Sequence, residues 1–176
     1  MDIPGLGHVT FDADYDGYLS APLPVPALGG AACSVAVMGY DDDEAPEDFH
    51  AAIDAFLTLD ASVLESAALP IFQYYQDVKD LVGDDQGLVP ISGPDEIWQH
   101  IRPGTEVTVE RNDRAGDRQV YVSIECECAW EPEHGLQIVL RGGRSVTKVG
   151  PFDGHLTNAD ASGRDVLADV VYLAAG

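Results

Sequence analysis

The chain is poor in cations. Its 176 residues include nine Lys and Arg against 31 Asp and Glu, for a formal charge of −22. No Lys or Arg precedes Lys79. Phosphate contact needs clustered cationic side chains, so the composition excludes a nucleic-acid binder of the usual kind. It also argues against docking on anionic membranes. Long apolar runs are missing too. No stretch approaches the 18 residues of a spanning segment, and Met1 to Gly7 has neither a basic nor an apolar signal-like region, so no membrane partner and no secretory signal are expected. Cysteine is scarce. Cys33, Cys126 and Cys128 make an odd count with two of them one residue apart, a poor disulfide framework that fits a reducing cytoplasm. There is no Walker loop, G-x-G-x-x-G, G-x-S-x-G, H-E-x-x-H or C-x-x-C, which weakens nucleotide-dependent, esterase, zinc-protease and thioredoxin-like readings. No cofactor is expected, and no motif forces an activity.

What remains is a chain of ordinary globular composition, 45% hydrophobic and 23% charged. Its length suits a single domain spanning residues 1–176, able to bury roughly 70% of its unfolded surface without a metal or disulfide staple. The charge is unevenly distributed. Residues 1–78 hold 14 acids and no base, while the remainder holds 17 acids and all nine bases. Such a front half sets up a field that attracts cations or basic proteins. The competing explanation is compositional, since Arg outnumbers Lys by seven to two, as in the acidic proteomes of GC-rich or salt-adapted hosts.

Hydrophobic spacing predicts strands, then helices, then strands. His8 to Phe11 and Tyr18 to Ser20 read as a hairpin around Asp12 to Gly17. Pro22, Pro24 and Pro26 mark an edge or irregular crossing, and Ala32 to Met38 a further strand. The acids of Asp41 to Asp48 open a helix whose stripe is Phe49, Ala52, Ile53, Phe56 and Leu57. A second helix is expected over about Ser62 to Val82, kinked or split by Pro70 and stopped by Gly83. A short third helix fits Pro94 to Ile101, ended by Pro103-Gly104. Glu106 to Glu110, Val120 to Cys128, Leu136 to Leu140 and Ser145 to Val149 read as a four-strand meander, with a turn at Arg111 to Arg118. Strands and helices are segregated. The expected fold is therefore α+β: an antiparallel sheet made of the meander and the N-terminal strands, with two long helices and one short helix packed on it.

Candidate sites are few. Asp12, Asp14, Asp16 and Gly17 copy the first half of a calcium loop, but Leu23 stands where the bidentate Glu belongs, so they are weak metal candidates beside the reading as an acidic turn. Cys126 and Cys128 share the apolar face of their strand, which fits core packing, with zinc ligation or redox chemistry as alternatives. Glu125 and Glu127 fall on the opposite face, roughly 6.5 Å apart. With Trp130, Glu131, Glu133 and His134 in the next turn, and Asp153 and His155 in a Gly-rich loop, they form the candidate binding group. Carboxylates beside a His suit a divalent metal or general acid–base work.

Five strings are distinctive: Thr10-Phe11-Asp12 through Asp16, EDFHAAIDAFLTLD (Glu47 to Asp60), IFQYYQDV (Ile71 to Val78), CAWEPEHGLQIV (Cys128 to Val139) and VGPFDGHLTN (Val149 to Asn158). Through them the chain resembles, over about residues 5 to 160, an uncharacterised bacterial domain-of-unknown-function family of small acidic cytoplasmic proteins. The resemblance implies that the Trp130 to Gly135 turn and the Gly150 to His155 loop belong together, and it carries no catalytic residue. By analogy it implies an immunity or antitoxin partner. The leading reading is thus a non-enzymatic acidic module that binds a basic protein. The alternative is a small divalent-metal-dependent hydrolase or metal-binding protein using Glu125, Glu127, Glu133 and His134.

Overall fold

The computed structural model describes residues 1–83, 87–114 and 116–174. Nine strands form one mixed, mostly antiparallel sheet: β1 (Asp2–Ile3), β2 (Gly7–Asp12), β3 (Gly17–Ser20), β4 (Leu23–Val25), β5 (Ala31–Met38), β6 (Ile101–Arg111), β7 (Val120–Cys128), β8 (Leu136–Arg141) and β9 (Ser145–Gly150). The spatial order is β1-β2-β3-β5-β6-β7-β8-β9, with β4 paired to the start of β5. The described α-helices are α1 (Pro46–Leu57), α2 (Ala61–Glu65), α3 (Ala68–Val82) and α4 (Asn158–Ser162). None is long and apolar enough to cross a membrane alone.

The N-terminal hairpin forms where alternation placed it, with Phe11 opposite Tyr18. The proline-rich crossing is the short strand β4 followed by a 3₁₀ turn at Pro26–Leu28. Helix α1 starts with Pro46 in its first turn, and its stripe of Phe49, Ala52, Ile53 and Phe56 is buried against β6 and β7. The long second helix is two helices. They break at Ser66 and Ala67, so that Pro70 lies in the first turn of α3, where its missing N–H costs nothing. The third helix is a 3₁₀ segment, Pro94–His100.

Two expectations are corrected. The sheet is not wholly antiparallel, because β5 pairs with β6 in parallel, Ser34 opposite Glu106. The whole helical stretch between them is therefore a crossover connection, as parallel neighbours require. Strand β6 also begins at Ile101 and runs through Pro103 and Gly104, which sit at a register shift between Pro103 and Val107. A bulge tolerates proline because the ladder bond it cannot donate is already interrupted. The predicted turn after β6 starts at Asn112, and its Ala115 lies outside the described residues.

The main core lies between the helices and one sheet face, where Val35, Val107, Val122, Ile124 and Ile138 meet Phe49, Ile53, Phe56 and Ile71. The other face is not simply solvated. Tyr121, Val139 and Leu156 form a second buried cluster under the chain that follows β9. That covered patch shapes everything at the C-terminal end.

Candidate functional site

The turn joining β7 to β8 is built from below. Trp130 is 1% exposed, and its ring meets Tyr74 and Tyr75 of α3 edge-on at 6.0 and 5.9 Å. Tyr74 Oη donates to the carbonyl of Gly135 at 3.1 Å and so props the turn's far end. Gly135 has φ +63, and a Cβ there would stand 2.5 Å from the carbonyl oxygen of Cys126, so only glycine fits. Glu131 Oε1 accepts the backbone N–H groups of Glu133 and His134 at 3.0 and 3.3 Å, and Gly135 N–H closes on the Glu131 carbonyl. Glu131, Glu133 and His134 thereby bring three ligand atoms within 4.8 Å of one another. Glu133 and His134 are exposed and Glu131 is half-buried.

The turn and the Gly150 to His155 loop do meet. Phe152 N–H donates to the His134 carbonyl at 3.2 Å, and Gly150 lies opposite Gln137 in the ladder. Asp153 and His155 face another way, toward Lys148. Its side chain is 2% exposed, and its ammonium donates to Gln137 Oε1 at 2.8 Å, to the His155 carbonyl at 3.1 Å and to Asp153. Gln137 in turn donates to Ser123 Oγ at 2.9 Å. Burial draws the Lys148 amine below the usual lysine range, against the pull of Asp153. Burial alone would raise the Asp153 carboxyl, but Lys148 and the His155 amide outweigh it and hold it below its ordinary value. Nothing in the sequence pattern marked Lys148 as buried. Its signal was only its isolation on a strand that also carries Val146 and Val149.

The predicted group is thus divided. Trp130 belongs to the core and presents no surface. Glu125 and Glu127 are exposed on β7, opposite Gln137 and Arg102 respectively, and neither joins the Glu131, Glu133, His134 group. Among the described residues, Asp12, Asp14 and Asp16 form no ion-holding group, and Asp14 N–H caps Asp12 in a local turn instead. Leu23 opens a strand, not the helix a calcium loop needs. Cys33, Cys126 and Cys128 are free and buried, and burial pushes the Cys126 and Cys128 thiols up to about 12 and about 11. They are protonated at neutral pH, which suits packing and not thiolate chemistry.

A second region collects charge. Gly17 of β3 pairs with Met38 of β5, so the Asp12 to Asp16 turn and the loop after β5 share one end of the sheet. Tyr18 Oη donates to Asp41 at 2.7 Å, and Tyr15 Oη donates to Glu106. Asp12, Asp14, Asp16, Asp41, Asp42, Asp43 and Glu44 therefore gather here, half of the 14 acids of the front half. Glu110 and Asp113 line a cleft with Tyr15, Asp16 and Asp43. Two bases lie at this end: exposed Arg118, which acts on Asp43 through space, and Arg111, which is already spent internally. Its side chain is 7% exposed, forks onto Asp43 at 2.6 and 3.0 Å, reaches Asp48 at 2.9 Å and lies 5.5 Å over the Phe49 ring. Beside the acids, Phe11 is 60% exposed and packs edge-on to Tyr18. Of the other seven, Asp2 lies on β1, and Glu47, Asp48, Asp54, Asp60, Glu65 and Asp77 are spread along the helices and the N-cap of α2.

One family description, Domain of unknown function (DUF6985), matches residues 5–156. No curated protein and no solved structure matches the chain.

Proposed function

The chain belongs to the DUF6985 family, and on that premise we propose that it acts without catalysis, as an acidic module that covers the cationic surface of a basic protein in the manner of an immunity or antitoxin partner. The gathering of seven acids at one end of the sheet carries this reading. Their field adds up because they lie together, and the exposed Phe11 beside them supplies the apolar contact that charge alone lacks. Arg111 is paired with Asp43 and Asp48, so the field is set by Asp12, Asp14, Asp16, Asp41, Asp42 and Glu44.

Association with such a partner should slow about tenfold or more between low and high salt, because steering is screened beyond a few ångströms in concentrated salt. The combined change Asp14→Asn, Asp16→Asn, Asp41→Asn and Asp42→Asn should slow it similarly at low salt and leave the fold intact. Affinity capture from the native host followed by stopped-flow association tests this. If no basic protein is recovered, or its binding ignores both salt and the four substitutions, the reading fails.

The Glu131, Glu133 and His134 group favours a second reading, a divalent-ion site on the β7–β8 turn. Elemental analysis of purified protein and a thermal shift under chelator address it. Absence of metal with an unchanged melting curve removes it.

A further inference from the structure

The chain beyond α4 is held to the fold in an unusual way. From Gly163 to Ala174 no residue is buried, and Val166 and Leu173 are 79% and 41% exposed. Val171 and Tyr172 pack half-buried against the core, Tyr172 with its ring 6.1 Å from that of Tyr74, and the rest of the segment is fastened by polar bonds. Arg114 Nη2 reaches Asp165 at 2.7 Å, and Arg141 Nη1 reaches Asp169 at 3.0 Å, with those two carboxylates 90% and 85% exposed. Arg141 also donates to the Ala168 carbonyl, and Asn158 to the Val170 carbonyl. Val149 N–H, on the free side of the edge strand β9, donates to the Val171 carbonyl at 2.7 Å. Tyr172 Oη donates to Asp77 at 2.6 Å. Gly163, at φ +71, turns the chain out of α4 and gives the segment a hinge. The family match stops at residue 156, so the segment lies wholly outside it.

Exposed ion pairs hold little and are screened by salt. Two of this segment's fastenings are such pairs and none of its residues is buried, so it opens at a lower free energy than the core beneath it. Opening uncovers Arg141 and Arg114, the latter still 3.8 Å from Asp160 of α4, together with the unpaired edge of β9. Arg141 stays positioned when the segment leaves, because its Nε also donates to Tyr121 Oη at 3.1 Å and its guanidinium lies 5.8 Å over that ring. An edge strand with cationic groups beside it suits strand addition by an acidic chain. The segment itself is the template for the occupant: two carboxylates four residues apart, the first on the 3₁₀ turn Asp165–Leu167, then a stretch whose Val171 carbonyl accepts from the β9 edge.

We propose that Gly163–Ala174 is a salt-released strap, and that the β9 edge with Arg114 and Arg141 is a docking surface for an acidic segment of another protein that carries this pattern. The surface is distinct from the acidic end and takes a partner of opposite charge, so it stands or falls independently of the reading above.

Hydrogen exchange on the full chain tests the first half. In high salt, and at low salt in the double variant Asp165→Asn with Asp169→Asn, amides of 163–174 and of Val149 should exchange about tenfold faster while those of β7 and β8 hold. A labelled synthetic peptide of residues 163–174 tests the second. At low salt it should bind the double variant about tenfold more tightly than the parent chain, since the weakened strap competes less. Adding Arg141→Gln to the double variant should abolish that gain. Strap amides as protected as those of β8 in every condition overturn the proposal. So does a strap that opens but leaves the peptide unbound, and so does a concentration-dependent dimer in place of peptide uptake, which would assign the surface to a second copy.

Discussion

Arg111 and Asp43 show how a chain with so few bases uses one. The fork between them ties β6 to the loop that leads into α1, and both side chains are 7% exposed. Removing one partner of a buried pair leaves the other desolvated without compensation, at a cost of about 3–5 kcal/mol. Asp48 still reaches Arg111 and offsets part of this, so Asp43→Asn should cost about 3 kcal/mol, or roughly 10 °C in Tm for a chain of this size. The sign with pH follows from the bond. Arg111 beside Asp43, and then the Ala45 amide, outweigh burial and hold the carboxyl below its ordinary value. A depressed carboxyl stabilises the fold above its unfolded value of about 3.9 and loses that contribution as pH falls through the folded value. Thermal melts of parent and variant should therefore run a constant gap apart from neutrality down to about pH 5 and converge in stronger acid. A gap that widens toward low pH would contradict the assignment.

At the scale of elements, the contact of α1 with the β8–β9 turn is set by backbone proximity. Gly143 has φ +67, and a Cβ there would lie 2.1 Å from the Ala52 carbonyl oxygen in the middle of α1. Gly142, with φ +57, has nothing within 4 Å of the same atom. Gly142→Ala should cost only the left-handed backbone penalty, about 1–2 kcal/mol. Gly143→Ala must also push α1 off the sheet and should cost about 2–4 kcal/mol. Urea titration of the two variants checks the difference, and equal midpoints would mean that α1 is not seated on this turn. Much of this architecture was legible in the sequence because its causes are local. The stripe from Phe49 to Phe56, the period-2 run from Val120 to Cys128 and the break forced near Pro70 each announce an element within a dozen residues. The parallel pairing of Ser34 with Glu106 was not legible, because its cause spans the whole helical crossover. Nor was the covering of Tyr121 and Ser123. Alternation separates two faces but does not say whether a later stretch returns over the second one. The same limit applied to the candidate group, where Trp130 and Glu131 are adjacent in sequence yet one lies in the core and the other caps a surface turn.

For the whole molecule, a net charge of −22 remains after every base is set against an acid, and these charges repel one another on one fold. The unfolded chain spreads the same charges over a larger volume, so repulsion favours unfolding and salt should relieve it. Screening shortens from about 30 Å in 0.01 M salt to about 3 Å in 1 M. The Arg111 fork is buried and little affected. Tm should therefore rise across this salt range. The strap should respond in the opposite sense, because its fastenings at Asp165 and Asp169 are attractive and exposed. Calorimetry and hydrogen exchange on one sample series should thus diverge, with a rising global Tm and falling protection of residues 163–174. A Tm that falls with salt would mean that surface attraction outweighs repulsion. The acids of the front half would then be largely compensated within the fold, and the field proposed to draw in a basic partner would have lost its source.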